Sequence, residues 1–268
     1  MQDFYNYKET PLFYSVSGEG KDLLLMHGFL EDSSMWDALL PSLEKHFKVW
    51  RVDFFGHGKS PAHSYNHSMS LFASALLGLL KSHKVTSVLA VGHSMGGYVG
   101  LEMLAQQPNL FSSFVLLNST PAPDSNARKE DRLRAIEAVK KYPDAFIQMA
   151  VTNLFAERMR NTLIQEIKSC IRTAKQCSQQ GIIATIHGLK DRQDHTETFR
   201  NASCRKLIIT GKEDTLIKHA EIKQIAKTAN ALLVSLNGGH MTHLEFPEDL
   251  AQILANFYGV KFSFHTQN

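Results

Sequence analysis

Residues 87–100 read SVLAVGHSMGGYVG, and their reading decides the fold. The run 87–92 is short, apolar and bounded by glycine, as a strand buried on both faces of a parallel sheet should be. Residues 95–107 follow with helical spacing. Between strand and helix lies Gly92-His93-Ser94-Met95-Gly96, the pattern G-x-S-x-G. The bare pattern arises easily by chance, and its place between a strand and a helix gives it meaning. So sharp a turn strains the serine backbone and leaves no room for side chains on its neighbours. In return the hydroxyl of Ser94 stands clear at the carboxyl end of the sheet. The Met95 N–H, in the first helical turn, faces the same place, where the helix dipole favours negative charge.

A serine hydroxyl is a weak nucleophile until an oriented base takes its proton. Both partners are present at later strand ends. After the expected strand 206–210 comes Gly211-Lys212-Glu213-Asp214, which sets Asp214 just past a strand terminus. After the expected strand 232–236 comes Asn237-Gly238-Gly239-His240, whose glycine pair lets a loop carry His240 over the sheet. Sites in open parallel sheets assemble from such loops. The order Ser94, Asp214, His240 is the nucleophile, acid, base order of one known plan. Glu213 is the alternative acid and His243 the alternative base. A second oxyanion donor is expected at His27-Gly28-Phe29, after the strand 22–27, so the Phe29 and Met95 N–H groups form the expected oxyanion hole. Phe29 and Tyr98 are the candidate substrate-binding side chains.

Working outward, strands are expected at 11–17, 22–27, 47–53, 87–92 and 114–118, and helices at 36–46, 69–82 and 95–107. Strands alternating with helices of this length imply right-handed βαβ units and a parallel sheet. Residues 126–190 break the rhythm, with helical stretches at 127–141, 144–155, 157–178 and 180–189 and no strand. Alternation resumes at 206–210, with helices at 219–229 and 247–257. The expected architecture is an α/β sheet, mostly parallel and flanked by helices, with a helical cap inserted before the late strands. Residues 1–120 and 204–268 form the core in this reading, and 121–203 the cap.

With HGF (27–29), DFFGHGKS (53–60), GHSMGG (92–97), GKED (211–214) and GGH (238–240) in this order, the chain resembles the α/β-hydrolase superfamily. The resemblance is to its lidded branch of serine esterases, C–C bond hydrolases and cofactor-free perhydrolases. It covers nearly the whole chain and implies a triad of Ser94, Asp214 and His240. Dehalogenases and epoxide hydrolases of this fold carry Asp where this chain has Ser94. The menaquinone-pathway synthase is similar at HGFLED, but it places Arg after the elbow glycines where this chain has Tyr98. That difference weighs against an anionic cyclohexene substrate.

The 268 residues, 43% hydrophobic and 21% charged, suit one large globular domain rather than a disordered chain. No apolar run is long enough to span a membrane, and the N-terminus MQDFYNYKET lacks the basic and apolar regions of a signal peptide, so a cytoplasmic chain is expected. Cys170, Cys177 and Cys204 form neither a disulfide framework nor a zinc pattern. His240-Met241-Thr242-His243 lacks the Glu of HExxH and shows no third ligand, so neither metal nor cofactor is expected. Residues 120–200 carry 14 Lys/Arg against 10 Asp/Glu, too sparse a balance for nucleic-acid binding. The expected function is cleavage of a small carboxylic ester, or a related acyl or C–C substrate, by a monomer or homodimer. A small-molecule receptor of the same fold with slow turnover is the alternative.

Overall fold

The computed structural model describes residues 1–261. The chain opens with β1 (Gln2–Tyr7), β2 (Thr10–Ser17) and β3 (Lys21–Met26), followed by α1 (Leu40–Leu43), β4 (Phe47–Val52) and α2 (Met69–Ser82). Next come β5 (Val88–His93), α3 (Met95–Gln106) and β6 (Phe111–Leu117). A helical block then intervenes: α4 (Asn126–Lys141), α5 (Pro143–Thr152), α6 (Ile164–Ala174), α7 (Gln179–Lys190) and α8 (Thr196–Asn201). The sheet resumes with β7 (Arg205–Gly211), α9 (His219–Thr228) and β8 (Leu232–Leu236), and the chain closes with α10 (Thr242–Glu245) and α11 (Pro247–Tyr258). The strands form one sheet in the order β1-β2-β4-β3-β5-β6-β7-β8. The pairs β1·β2 and β2·β4 are antiparallel and every other pair is parallel.

Strand periodicity builds two cores, one on each face of the sheet. In β3, Leu24 and Met26 point to the side packed by Phe72, Leu76 and Leu79 of α2 and Val99 of α3. Leu23 and Leu25 point the other way, toward Trp36, Leu43 and, from α11, Leu250 and Leu254. Helix α2 starts where Ser68 caps it, its hydroxyl accepting the Leu71 N–H at 3.1 Å. The helical block has an apolar cluster of its own, including Ile136, Val139, Ile147, Val151 and Ile182, and Leu30 and Met241 join it from the loops after β3 and β8.

Several elements differ from the sequence expectation. The single helix over 36–46 is instead a short 3-10 turn, Ser33–Trp36, followed by α1. Pro41 lies in the first turn of α1, and its ring forbids a helix running through it. The helix over 157–178 is broken as well, with a 3-10 turn at Glu157–Met159 and α6 beginning only at Ile164. Asn161 and Thr162 fill the gap, residues whose side chains compete with the helical backbone. Strand β1 and helix α8 have no counterpart in the expectation. Lys8 and Glu9, which turn the chain from β1 into β2, have φ of 47° and 68°, a conformation usually signalled by Asn or Gly. Among the described residues, no helix is long and apolar enough to cross a membrane. The three cysteines are free, and burial pushes the Cys170 and Cys177 thiols up to about 12.

Candidate active site

The turn from β5 into α3 is as strained as its sequence requires. Ser94 has φ 48° and ψ −113°, a region that only a tightly braced residue holds. The bracing comes from the Ser94 N–H, which donates to Leu117 O at 2.9 Å. The Ser119 hydroxyl also donates to Ser94 O at 2.8 Å. A Cβ on Gly96 would lie against the backbone carbonyl of Met26, so helix and neighbouring strand touch backbone to backbone there.

Three loops at the carboxyl ends of β5, β7 and β8 bring Ser94, Asp214 and His240 together. Ser94 Oγ lies 2.8 Å from His240 Nε2. The other ring nitrogen, Nδ1, lies 2.7 Å from Asp214 Oδ2. The carboxylate is fixed from several directions. Its Oδ1 accepts the Leu216 and Ile217 N–H groups at 2.8 and 3.0 Å, and its Oδ2 accepts the Asn118 amide at 3.0 Å. Burial pushes the Asp214 carboxyl up, but His240, Asn118 and the Ile217 N–H outweigh it and hold the group below the ordinary carboxylate value. The two alternatives lie elsewhere. Glu213 pairs with Arg158 at 2.8 Å on the surface, and His243 packs behind the elbow, its ring 4.9 Å from that of His93.

Phe29, Met95 and Tyr98 line the same cavity as Ser94 and His240, about 360 Å³ in volume. Leu30, Leu154 and Phe146 make most of the remaining wall apolar. Among the described residues, neither the Phe29 nor the Met95 N–H is bonded to a protein acceptor.

Three residues that sequence reasoning passed over hold this arrangement. Asn118, at the end of β6 with φ 45°, gives its amide both to Asp214 and to Gly239 O, and its Oδ1 accepts the Thr242 hydroxyl. Glu245 accepts the Gly239 N–H at 2.6 Å and the Ala156 N–H at 2.7 Å, tying the histidine loop to the helical block. Glu31 accepts the Gly28 N–H at 2.6 Å and lies 2.8 Å from His93 Nδ1. The signals were a polar residue ending an apolar strand for Asn118, and carboxylates inside HGFLED and GGHMTHLEF for the other two.

One group among the described residues could hold a metal ion: ligand atoms of Glu31, His93 and His243 lie within 4.8 Å of one another. Of the His240–His243 pair only His243 belongs to this group, and its other two members come from distant segments. The three are already engaged with each other. Burial pushes Glu31 up, while His93, His243 and His27 hold it at about 2. Burial opposes charge on His93 too, yet Glu31 raises it above the ordinary value, whereas burial takes His243 down to about 3.

A model of the α/β hydrolase fold family matches residues 22–247, and the chain belongs to that family. It is 25% identical over 260 residues to a pimeloyl-(acyl-carrier protein) methyl ester esterase of Vibrio vulnificus, spanning 93% of this chain and 99% of that one. It is also 25% identical over 252 residues to an (E)-2-((N-methylformamido)methylene)succinate hydrolase of Acinetobacter baylyi, spanning 90% and 91%. Among solved structures it is similar to a thermophilic esterase from Thermogutta terrifontis, with a TM-score of 0.89 at 25% identity over 97% of each chain.

Proposed function

We propose that the protein is a cofactor-independent serine hydrolase that cleaves a small carboxylic ester. The observation that carries this reading is the unbroken path from Ser94 Oγ through His240 to Asp214, 2.8 and 2.7 Å long, at the wall of a mostly apolar cavity. In this mechanism His240 Nε2 takes the Ser94 proton as the oxygen attacks the ester carbonyl. Asp214 holds the imidazole with its Nδ1 proton toward the carboxylate and stabilises the cation that forms. The developing oxyanion is received by the Phe29 and Met95 N–H groups, where one donor is typically worth about 3 kcal/mol. His240 then protonates the departing alcohol, and the same nitrogen activates the water that releases the acid.

Helices α4 to α8 act as the cap, which excludes water and sets the size of the acyl group. The chain works in the cytoplasm as a monomer or homodimer, on a small molecule alone. The relatives named as esterases and hydrolases support this chemistry.

Hydrolysis of p-nitrophenyl esters from acetate to octanoate, with Ser94→Ala alongside, tests the reading. Turnover that falls by several orders of magnitude in the variant is the expected result. Equal turnover by both proteins refutes the role of Ser94. A stoichiometric burst of nitrophenol without turnover points instead to a nucleophile serving a receptor.

A further inference from the structure

Most of the cavity beside Ser94 is apolar; beyond Glu31, His93, Ser94, His240 and Asn153, its polar lining comes from α4. Arg128 and Arg132, four residues apart and so on one face of that helix, both line the cavity. Behind them lies Asp124, whose side chain has no exposed surface. This one carboxylate faces three guanidinium groups: Arg192 Nη1 at 2.5 Å, Arg132 Nε at 3.1 Å and Arg128 Nε at 3.5 Å. Arg192 is itself buried, stacked 4.2 Å over the Tyr98 ring and donating to Ala122 O at 3.1 Å. It is a fixture of the wall. Arg132 and Arg128 are more open and face the space where a substrate would lie.

The nearby acids do not restore the balance. Asp131 also lines the cavity, but it is exposed and pairs with Arg134. Glu31 is committed to His93. Three positive charges therefore share one buried negative one, and an under-compensated charge in a low-dielectric wall is costly unless a ligand completes it. Burial and the neighbouring Arg128 pull the Arg132 guanidinium below its usual value despite Asp124.

We propose that Arg128 and Arg132 form a carboxylate subsite, so that the substrate is an ester bearing a second, anionic carboxylate remote from the scissile bond. This rests on the hydrolase reading above and names its substrate class. A planar guanidinium presents paired donors that match a carboxylate, and such charge-assisted bonds are about twice as strong as neutral ones. The apolar walls between the arginines and Ser94 would carry the methylene chain joining the two ends. The guanidinium of Arg192 lies on the ring of Tyr98, which lines the same cavity.

The test compares the monomethyl esters of glutarate, adipate and suberate with methyl valerate, hexanoate and octanoate, which match them in length. Methanol release gives kcat/KM for wild type, Arg132→Met, Arg128→Met and Arg172→Met. Removing Arg132 leaves Asp124 paired with Arg128 and Arg192, so the buried carboxylate keeps its partners. Arg172 is exposed on α6 and serves as the control. The wild type is expected to prefer the half-esters, and the ratio of half-ester to neutral kcat/KM should fall roughly ten- to hundredfold in each cavity variant and not in the control. A wild type without that preference, or a ratio that Arg132→Met and Arg128→Met leave unchanged, overturns the proposal.

Calorimetric titration of adipate into Ser94→Ala, with and without Arg132→Met, separates this inference from the hydrolase reading. Arg132-dependent binding by Ser94→Ala, beside a wild type that hydrolyses no methyl ester, would keep the subsite and discard the esterase. Absence of both binding and hydrolysis discards the subsite.

Discussion

Glu31 and His93 form a buried ion pair that links the loops around the candidate nucleophile. The carboxylate Oε2 lies 2.8 Å from His93 Nδ1 and also accepts the Gly28 N–H at 2.6 Å. The far side of the same ring, Nε2, is 3.0 Å from the carbonyl of His240. One side chain pair thus ties the loop after β3 to the elbow, and the elbow to the loop that carries His240. Both groups are almost fully buried, so each depends on the other for its charge.

Glu31→Gln keeps the shape and removes the charge. With its partner neutral, burial is opposed only by the His240 carbonyl and Asp214, so the pKa of His93 moves down. Breaking a buried pair from one side typically costs about 3–5 kcal/mol, and the retained amide should reduce that to roughly 2–4. Urea unfolding at neutral pH measures the loss. Wild-type stability in the variant would show that the pair contributes nothing.

The same groups set how stability changes with pH. His57, His67 and His243 are held at about 3, about 4 and about 3, in each case chiefly by burial. In the unfolded chain a histidine titrates near about 6.5, so between that value and about 4 the unfolded state binds more protons than the folded one. Stability must then fall as pH falls, by up to about 1.4 kcal/mol per pH unit for each such histidine. Glu31 and Asp214, both held below their ordinary values, extend the loss once pH drops through the usual carboxylate range. His93 works in the other direction. Its raised value gives stabilisation that is complete below about 6.5 and is lost as pH rises through the folded value. Thermal unfolding from pH 8 to pH 4 should show a fall in Tm that begins near about pH 6.5. A Tm that stays flat down to pH 4 would contradict buried, neutral histidines at these three positions.

The sheet was legible because its strands obey a local rule. β3, β5, β6 and β7 are short apolar runs flanked by glycine or polar residues, and no tertiary context was needed to find them. Strand β1 was not legible, since QDFYNY is mostly exposed with no buried residue and its turn, Lys8-Glu9, lacks the residues that usually mark a hairpin. Ser94, Asp214 and His240 could be read from their places after strands. Glu31, Asn118 and Glu245 could not, because each acts through partners 62, 96 and 89 positions away. Asp124 escaped notice for the same reason. Its sequence neighbourhood shows a mildly basic helix, and only the fold sets Arg192 beside it.

The elbow makes the most severe demand on sequence, and Gly96 is where to test it. A Cβ there would press on the Met26 carbonyl, which belongs to the strand paired with β5 and cannot swing aside as a long side chain could. Gly96→Ala must therefore push α3 away from the sheet or flatten the turn at Ser94. Either movement carries the Ser94 hydroxyl off its 2.8 Å contact with His240 and shifts the Met95 N–H from the oxyanion position proposed for it. The expected result is a loss of stability of about 1–3 kcal/mol, the usual cost of overpacking a tight interior. Ester hydrolysis should drop by at least about a hundredfold, since a displacement of an ångström at a reacting atom can cost that much. Gly259→Ala is the control, because nothing lies within 4 Å of a Cβ there and its φ of 71° makes the change a matter of backbone strain alone. Measured together, kcat/KM and the urea midpoint separate the two effects. If Gly96→Ala lowered the midpoint no more than Gly259→Ala and kept wild-type kcat/KM, the close approach at the elbow would have no part in holding Ser94.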